Sequence, residues 1–184
     1  MDYAGKRVLV TGGLGFIGSN VAVRLAELGA HVTVIDSAVA GCGANRHNLQ
    51  PFPSRIDLRI ASIGDLALLP DAAATVDVVF NLAGEISHIN SMRDPLRDLE
   101  LNTTAQLQFL LALRSLRPGA RVVYASTRQV YGVPQYLPIN EAHPVNPIDF
   151  NGIHKHAAAG YHRLLTARGE IDATILRLTN VYGP

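Results

Sequence analysis

Val8-Leu9-Val10-Thr11-Gly12-Gly13-Leu14-Gly15-Phe16-Ile17-Gly18 is the stretch of sequence that decides the fold. It opens with apolar, largely β-branched residues, as a buried strand does. Glycines then turn the chain, and Ile17, Val21, Leu25 and Leu28 recur at helical spacing up to Gly29. A strand that delivers glycines to a helix N-terminus builds a seat for an anion. Free backbone N–H groups and the positive end of the helix macrodipole point at the same spot there. Gly12 and Gly13 are expected to make the turn, Gly15 to leave room for a phosphate, and Gly18 to let the helix lie close to the sheet. The spacing fits both G-x-G-x-x-G and G-x-x-G-x-x-G, which an ordinary tight turn also produces. Context adds to it. The next strand, from His31 to Ile35, ends in Asp36, roughly 20 residues past the glycines, where an acid holds a ribose hydroxyl in dinucleotide-binding folds.

A chain of 184 residues suits one domain with a real core, and 48 % hydrophobic with 17 % charged residues is ordinary for a soluble globular protein. The formal net charge of +1 leaves no electrostatic footprint for nucleic acid or an acidic membrane surface. Cys42 is the single cysteine, so no internal disulfide forms, and a cytoplasmic location is the expectation. No run approaches the ~18 apolar residues of a membrane span, and the N-terminus enters a strand directly rather than a signal peptide.

Strand-like and helix-like runs alternate along the chain. Strands are expected at 7–11, 31–35, 56–61, 77–82, 120–126 and 172–178, rich in Val, Ile and Leu as parallel strands covered on both faces are. Helices are expected at 16–28, 95–115 and 151–168, with a short turn near 65–69. In the second helix, Leu107, Leu110, Leu111 and Arg114 carry the helical period, and Pro118-Gly119 ends it. The pattern predicts an α/β fold, a doubly wound parallel sheet of Rossmann type in three αβα layers. Two stretches, 37–54 and 132–149, read as functional loops at the carboxyl ends of the strands, where such sheets bind ligands. The sequence stops at Pro184 just after a strand, so residues 1–184 read as a nucleotide-binding domain cut before its substrate-binding region.

These motifs, in this order, resemble the N-terminal domain of the extended short-chain dehydrogenases/reductases, the NAD-dependent sugar epimerase/dehydratase group. The resemblance runs from Thr11–Gly18 through Asn81-Leu82-Ala83-Gly84, Asn102, and Ala125–Gly132, to Arg177–Pro184. It implies NAD as cofactor and a nucleotide sugar as the small-molecule partner, with a homodimer left open. Carried over by position, Gly12, Gly15, Phe16, Ile17 and Gly18 would line the pyrophosphate. Asp36 and Ser37 would meet the adenosine ribose, and Ser62 and Ile63 would lie beside the adenine, where the family often has an acid. Leu82, Ala83 and Gly84 would pass the nicotinamide side, with Asn102 in the long helix as a further cofactor contact. An acid at Asp36 repels a 2′-phosphate, and no arginine follows Gly13, so NAD is expected over NADP.

The catalytic pattern departs from the family. A Tyr-x-x-x-Lys pair is expected on one face of the helix after the fifth strand, its lysine lowering the tyrosine pKa. This chain reads Asn151-Gly152-Ile153-His154-Lys155. Lys155 is present, implied to hold the nicotinamide ribose, but an amide stands where the proton-handling phenol belongs, and an amide has no suitable proton. Three readings stay open: His154, with an ordinary pKa of ~6.5, or Tyr131 supplies the base; the protein binds without turnover; or Asn151 orients substrate or water. Thr127 aligns with the Ser/Thr that hydrogen-bonds the reacting sugar oxygen. Arg128 and Gln129 replace the Asp-Glu of 4,6-dehydratases, which argues for epimerase-like redox chemistry instead. His154, His156 and His162 share a helix, but neighbours two apart diverge and no acid or cysteine completes a set, so no metal site is expected.

Overall fold

The run Arg7–Thr11 is a central strand because both of its faces find apolar cover. In the computed structural model, which describes residues 2–39, 41–50, 56–65, 67 and 69–183, Val8 and Val10 point to one side of the sheet and Leu9 to the other. Six parallel strands form one sheet: β1 (Arg7–Thr11), β2 (His31–Asp36), β3 (Ile56–Ile60), β4 (Val78–Asn81), β5 (Ala120–Thr127) and β6 (Ile171–Leu178). They lie in the order β3-β2-β1-β4-β5-β6, and the order reverses direction between β1 and β4. Thr11 pairs with Ile35 on one side and Asn81 on the other, so the carboxyl ends of the three strands open a crevice together. This is the doubly wound, Rossmann-type architecture.

Helix α1 (Phe16–Glu27) covers Val8, Val10, Val32 and Val34 on one face. On the other, α2 (Leu69–Ala73), α5 (Ala105–Leu116) and α6 (Phe150–Ala167) pack over Leu9, Val79, Val122 and Tyr124. The buried stripes are rotated from the expected ones. In α1 they run through Ser19, Ala22, Leu25 and Ala26, leaving Leu28 exposed. In α5 they run through Phe109, Leu110 and Leu113, leaving Leu111 exposed. In α1 small residues sit where helix meets sheet, whereas the buried stripe of α5 is itself made of large apolar side chains.

The expected helix 95–115 is three pieces. Helix α4 (Pro95–Leu99) starts with proline in its first turn and Asp94 capping Arg97 N, a wide π turn follows over Glu100–Thr104, and α5 continues. Helix α3 (His88–Arg93) precedes them, capped by Ser87 on Asn90 N at 3.1 Å. The turn expected near 65–69 gives way to α2, with residues 66 and 68 outside those described. The loop expected at 37–54 contains a short 3-10 turn at Arg46–Leu49, and residues 40 and 51–54 lie outside those described. No described helix is long and apolar enough to cross a membrane.

Candidate active site

The glycine turn works through contact as much as through flexibility. Gly12 has φ +70°, and a Cβ there would lie 2.8 Å from Ala83 N. A Cβ on Gly18 would sit 2.1 Å from Gly12 O, so this glycine lets α1 lie against the turn itself while the helix covers the sheet. At Gly15 a Cβ would meet only Gly12 O, at 3.4 Å, and that space faces a cavity. Gly15 is the N-cap of α1 and no side chain caps the helix, leaving its first N–H groups for an anion.

The cavity has a volume of about 670 Å³ and runs along the carboxyl ends of the strands. At one end, Asp36 closes β2. Its carboxylate accepts hydrogen bonds from Leu14 N at 2.9 Å and Ala38 N at 2.8 Å, so the acid also fixes the glycine turn. Ser37, Ser62 and Ile63 line the same end. In the middle, Thr11 Oγ1 accepts from Leu82 N and Ala83 N, both at 3.1 Å, and donates to Asn81 Oδ1 at 2.9 Å. Gln106 accepts from Asn81 Nδ2 at 2.7 Å and donates to Ala83 O at 2.8 Å. This buried network holds Leu82, Ala83 and Gly84 against the cavity.

The far end collects the catalytic candidates. Thr127, at the tip of β5, exchanges long hydrogen bonds with Gln129, whose N–H donates to Oγ1 at 3.2 Å. Arg128, beside it, donates to Asn180 Oδ1 at 3.4 Å. Asp149 caps α6 on Gly152 N at 2.6 Å, so Asn151 and Lys155 stand in the first turns of that helix. Both line the cavity, one turn apart. Asn151 Nδ2 donates to Glu85 O at 2.9 Å and to Asp98 Oδ2 at 3.1 Å; two acceptors fix the amide orientation. Its Oδ1 is buried without a partner, as are Ser126 Oγ and Asn102 Oδ1. Lys155 is 6 % exposed, and burial pushes its ammonium down to about 8 against the attraction of Asp98 and Glu85.

Three residues singled out in the sequence stand apart from the cavity wall. His154 points to the protein interior, its Nδ1 2.7 Å from Asp98 Oδ1, and does not line the cavity. Asn102 also lies behind the wall, where its Nδ2 donates to Glu85 O at 3.1 Å. Tyr131 is buried away from it, with its hydroxyl accepting from Arg177 at 2.9 Å. The sequence reading missed Ser126, the buried acids Glu85 and Asp98, and the segment Leu178–Val181 that closes the cavity beyond β6. Glu85 directly follows Asn81–Gly84 and was within reach of a motif-based reading. Asp98 carries no local signal; only the packing of α4 on α6 reveals it.

Fold and site together define a doubly wound dinucleotide-binding domain. The chain belongs to the NAD dependent epimerase/dehydratase family, whose model matches residues 8–184. It is 33 % identical over 178 residues to a putative UDP-glucose 4-epimerase of Methanocaldococcus jannaschii, covering 96 % of this chain and 56 % of that protein. It is 35 % identical to a dTDP-glucose 4,6-dehydratase of Mycolicibacterium smegmatis, covering 97 % of this chain and 54 % of that one. Among solved structures, it is similar to a UDP-N-acetylglucosamine 4-epimerase from Methanobrevibacter ruminantium, crystallised with UDP-N-acetylmuramic acid. There the TM-score is 0.90 at 30 % identity, over 98 % of this chain and 57 % of that one. A UDP-glucose 4-epimerase from Brucella ovis in complex with NAD gives a TM-score of 0.86 at 28 % identity, over 96 % and 52 %. The chain thus spans about half the length of the curated relatives it matches.

NAD is the cofactor of this family, and the residues present fit it. The uncapped start of α1, the space over Gly15 and the acid at the end of β2 lie in one crevice, in the order that pyrophosphate and adenosine ribose need.

Proposed function

We propose that this chain is the cofactor-binding domain of an NAD-dependent oxidoreductase that acts on a nucleotide sugar by transient oxidation of a ring hydroxyl, as in 4-epimerisation. The observation that carries this reading is one continuous cavity lined by the glycine turn and Asp36 at one end and by Thr127, Asn151 and Lys155 at the other. When bound, NAD supplies the hydride acceptor. Gly15 and the α1 N-terminus bind its pyrophosphate, and Asp36 accepts from its ribose. Thr127, held only by long bonds to Gln129, is free to turn its hydroxyl to a sugar oxygen. Asn151 stands beside Thr127 at this end of the cavity, where it orients the substrate through its position on the wall. Arg128 and Gln129 offer no carboxylic acid for dehydration, which supports epimerase-like chemistry over 4,6-dehydration.

A second copy of the chain is the proposed partner, with Leu96 on α4 and Ile153 and Leu164 on α6 exposing apolar carbon on neighbouring helices. The lone free thiol of Cys42 supports a reducing, cytoplasmic compartment.

The alternative is a catalytically silent NAD-binding module. It is favoured by one observation: no phenol stands at position 151, and the amide there is tied to Glu85 and Asp98. The full-length protein, incubated with NAD and UDP- or dTDP-hexoses and followed by NMR, separates the two. The enzymatic reading expects a sugar inverted at C4. NAD binding with every hexose unchanged would favour the silent module.

A further inference from the structure

A proton acceptor is missing from the tyrosine position, yet the cavity wall holds few groups able to replace it. Its ionisable side chains among the described residues are Asp36, Cys42, His88, Arg128 and Lys155. Asp36 sits at the far end, bound to Leu14 N and Ala38 N. Cys42 is pushed up to about 11 by burial and by Glu85, whose Oε2 accepts its thiol proton at 3.1 Å. Arg128 presents a guanidinium, which donates and has no lone pair to accept a proton. His88 lies on exposed α3. Lys155 alone shares a helix face with Asn151, one turn away.

We propose that Lys155 is itself the general base of the reaction, its Nζ taking the hydroxyl proton directly where relatives would employ a phenol. This rests on the oxidoreductase reading above. The surroundings of Nζ are those of an amine rather than of a paired ammonium. Lys155 makes no hydrogen bond to a described residue, and none of their carboxylates lies within ion-pair distance. The two nearest acids are already engaged. Glu85 accepts from Ile86 N, Ser87 N and the Cys42 thiol, while Asp98 accepts from Asn151 Nδ2 and contacts His154 Nδ1.

A buried ammonium with three unplaced protons is costly, and a neutral amine is not. Gly84 is what brings the amine to the wall: a Cβ there would lie 3.0 Å from Lys155 Nζ and 2.4 Å from Asn102 Oδ1. The neutral form, populated as pH rises through the midpoint that burial has moved to about 8, keeps a lone pair for the substrate. In the step, the sugar O–H bond breaks and its proton passes to the Nζ lone pair. The carbinol C–H bond breaks and its hydride, with the electron pair, leaves to the nicotinamide ring of a bound dinucleotide. The former O–H pair becomes the C=O π bond, and the ammonium returns the proton when the hydride comes back.

The sequence makes the test clean, because Lys6 and Lys155 are the only lysines. Protein labelled with 13C-lysine is titrated by NMR, with exposed Lys6 as internal reference. A Lys155 midpoint near 8 supports the proposal; a midpoint near the ordinary ~10.4 overturns it. In the full-length protein, kcat should rise with pH through the same midpoint, and the rise should persist in His88→Gln. Loss of that limb in His88→Gln, or a limb elsewhere, overturns the assignment. NAD binding measured separately tells the failures apart. Absence of binding sinks both this proposal and the reading beneath it, whereas normal binding with a Lys155 midpoint near its ordinary value sinks this one alone.

Discussion

Asn151 and Glu85 are joined through the main chain: the Asn151 side-chain Nδ2 donates to the Glu85 carbonyl at 2.9 Å. Asn102 Nδ2 donates to that same oxygen at 3.1 Å, so two amides from different helices converge on one peptide of the loop after β4. Asn151 is therefore a structural clasp at the site as well as a missing phenol. It holds the start of α6 against the segment that carries Gly84. Asn151→Ala should remove a donor from Glu85 O and from the buried Asp98. We expect a loss of about 1–3 kcal/mol in urea unfolding, without loss of secondary structure. Unchanged stability would show that the clasp contributes nothing.

The glycine turn yields a paired prediction. Gly18→Ala forces a Cβ to within 2.1 Å of Gly12 O, so the turn must shift, at an expected cost of about 1–3 kcal/mol. Gly15→Ala meets only a 3.4 Å contact and should fold with nearly native stability. Its methyl group enters the space reserved for pyrophosphate, so NAD affinity should fall roughly tenfold or more. Thermal denaturation and isothermal titration of both variants check the split.

A buried histidine sets the acid response. His162 stacks on Tyr124 with ring centroids 4.2 Å apart, and burial pushes it down to about 4. Its Nδ1 donates to Ala158 O at 2.9 Å and its Nε2 accepts from Asn81 at 3.3 Å, which defines a neutral ring. The unfolded chain binds its proton near pH ~6.5, the folded chain only near 4, so the unfolded state holds more protons between those values. Stability should therefore fall by up to about 3 kcal/mol as pH drops through that window. His162→Gln should flatten this slope in urea midpoints measured from pH 7 to pH 4.

Lys155 has the matching signature at alkaline pH. With the folded value near 8 and the unfolded value near 10.5, stability should rise with pH between them, since the unfolded state again holds the extra proton. Below pH 8 the buried ammonium costs on the order of 3 kcal/mol, so Lys155→Met should raise the melting temperature at pH 7 by several degrees. A lower melting temperature would mean that the ammonium is paired in a way these contacts do not contain.

Much of this was legible in the sequence, for physical reasons. The strands are apolar on both faces, so their runs stand out, and all six appear within a residue or so of the expected bounds. The glycine turn and Asp36 are legible because strand ends fix their positions. Helix faces were less so. Periodicity finds Leu28 and Leu111, but α1 buries Ala22, Leu25 and Ala26, and α5 turns Phe109, Leu110 and Leu113 to the sheet instead. The start of the long helix at Pro95 agrees with its expected bound, but its interruption by the π turn at Glu100–Thr104, which packs against α6, has no local pattern that encodes it. The same holds at the site: Asp98 draws His154 inward, away from the cavity where its spacing from Asn151 suggested a base.

Isothermal titration of the chain with NAD and with NADP measures whether this crevice holds the dinucleotide. Saturable binding of one NAD per chain is expected, with NADP weaker by roughly tenfold or more because Asp36 repels a 2′-phosphate, and with Asp36→Ala weakening NAD. Absence of saturable NAD binding, or NADP bound as tightly as NAD, would contradict that expectation.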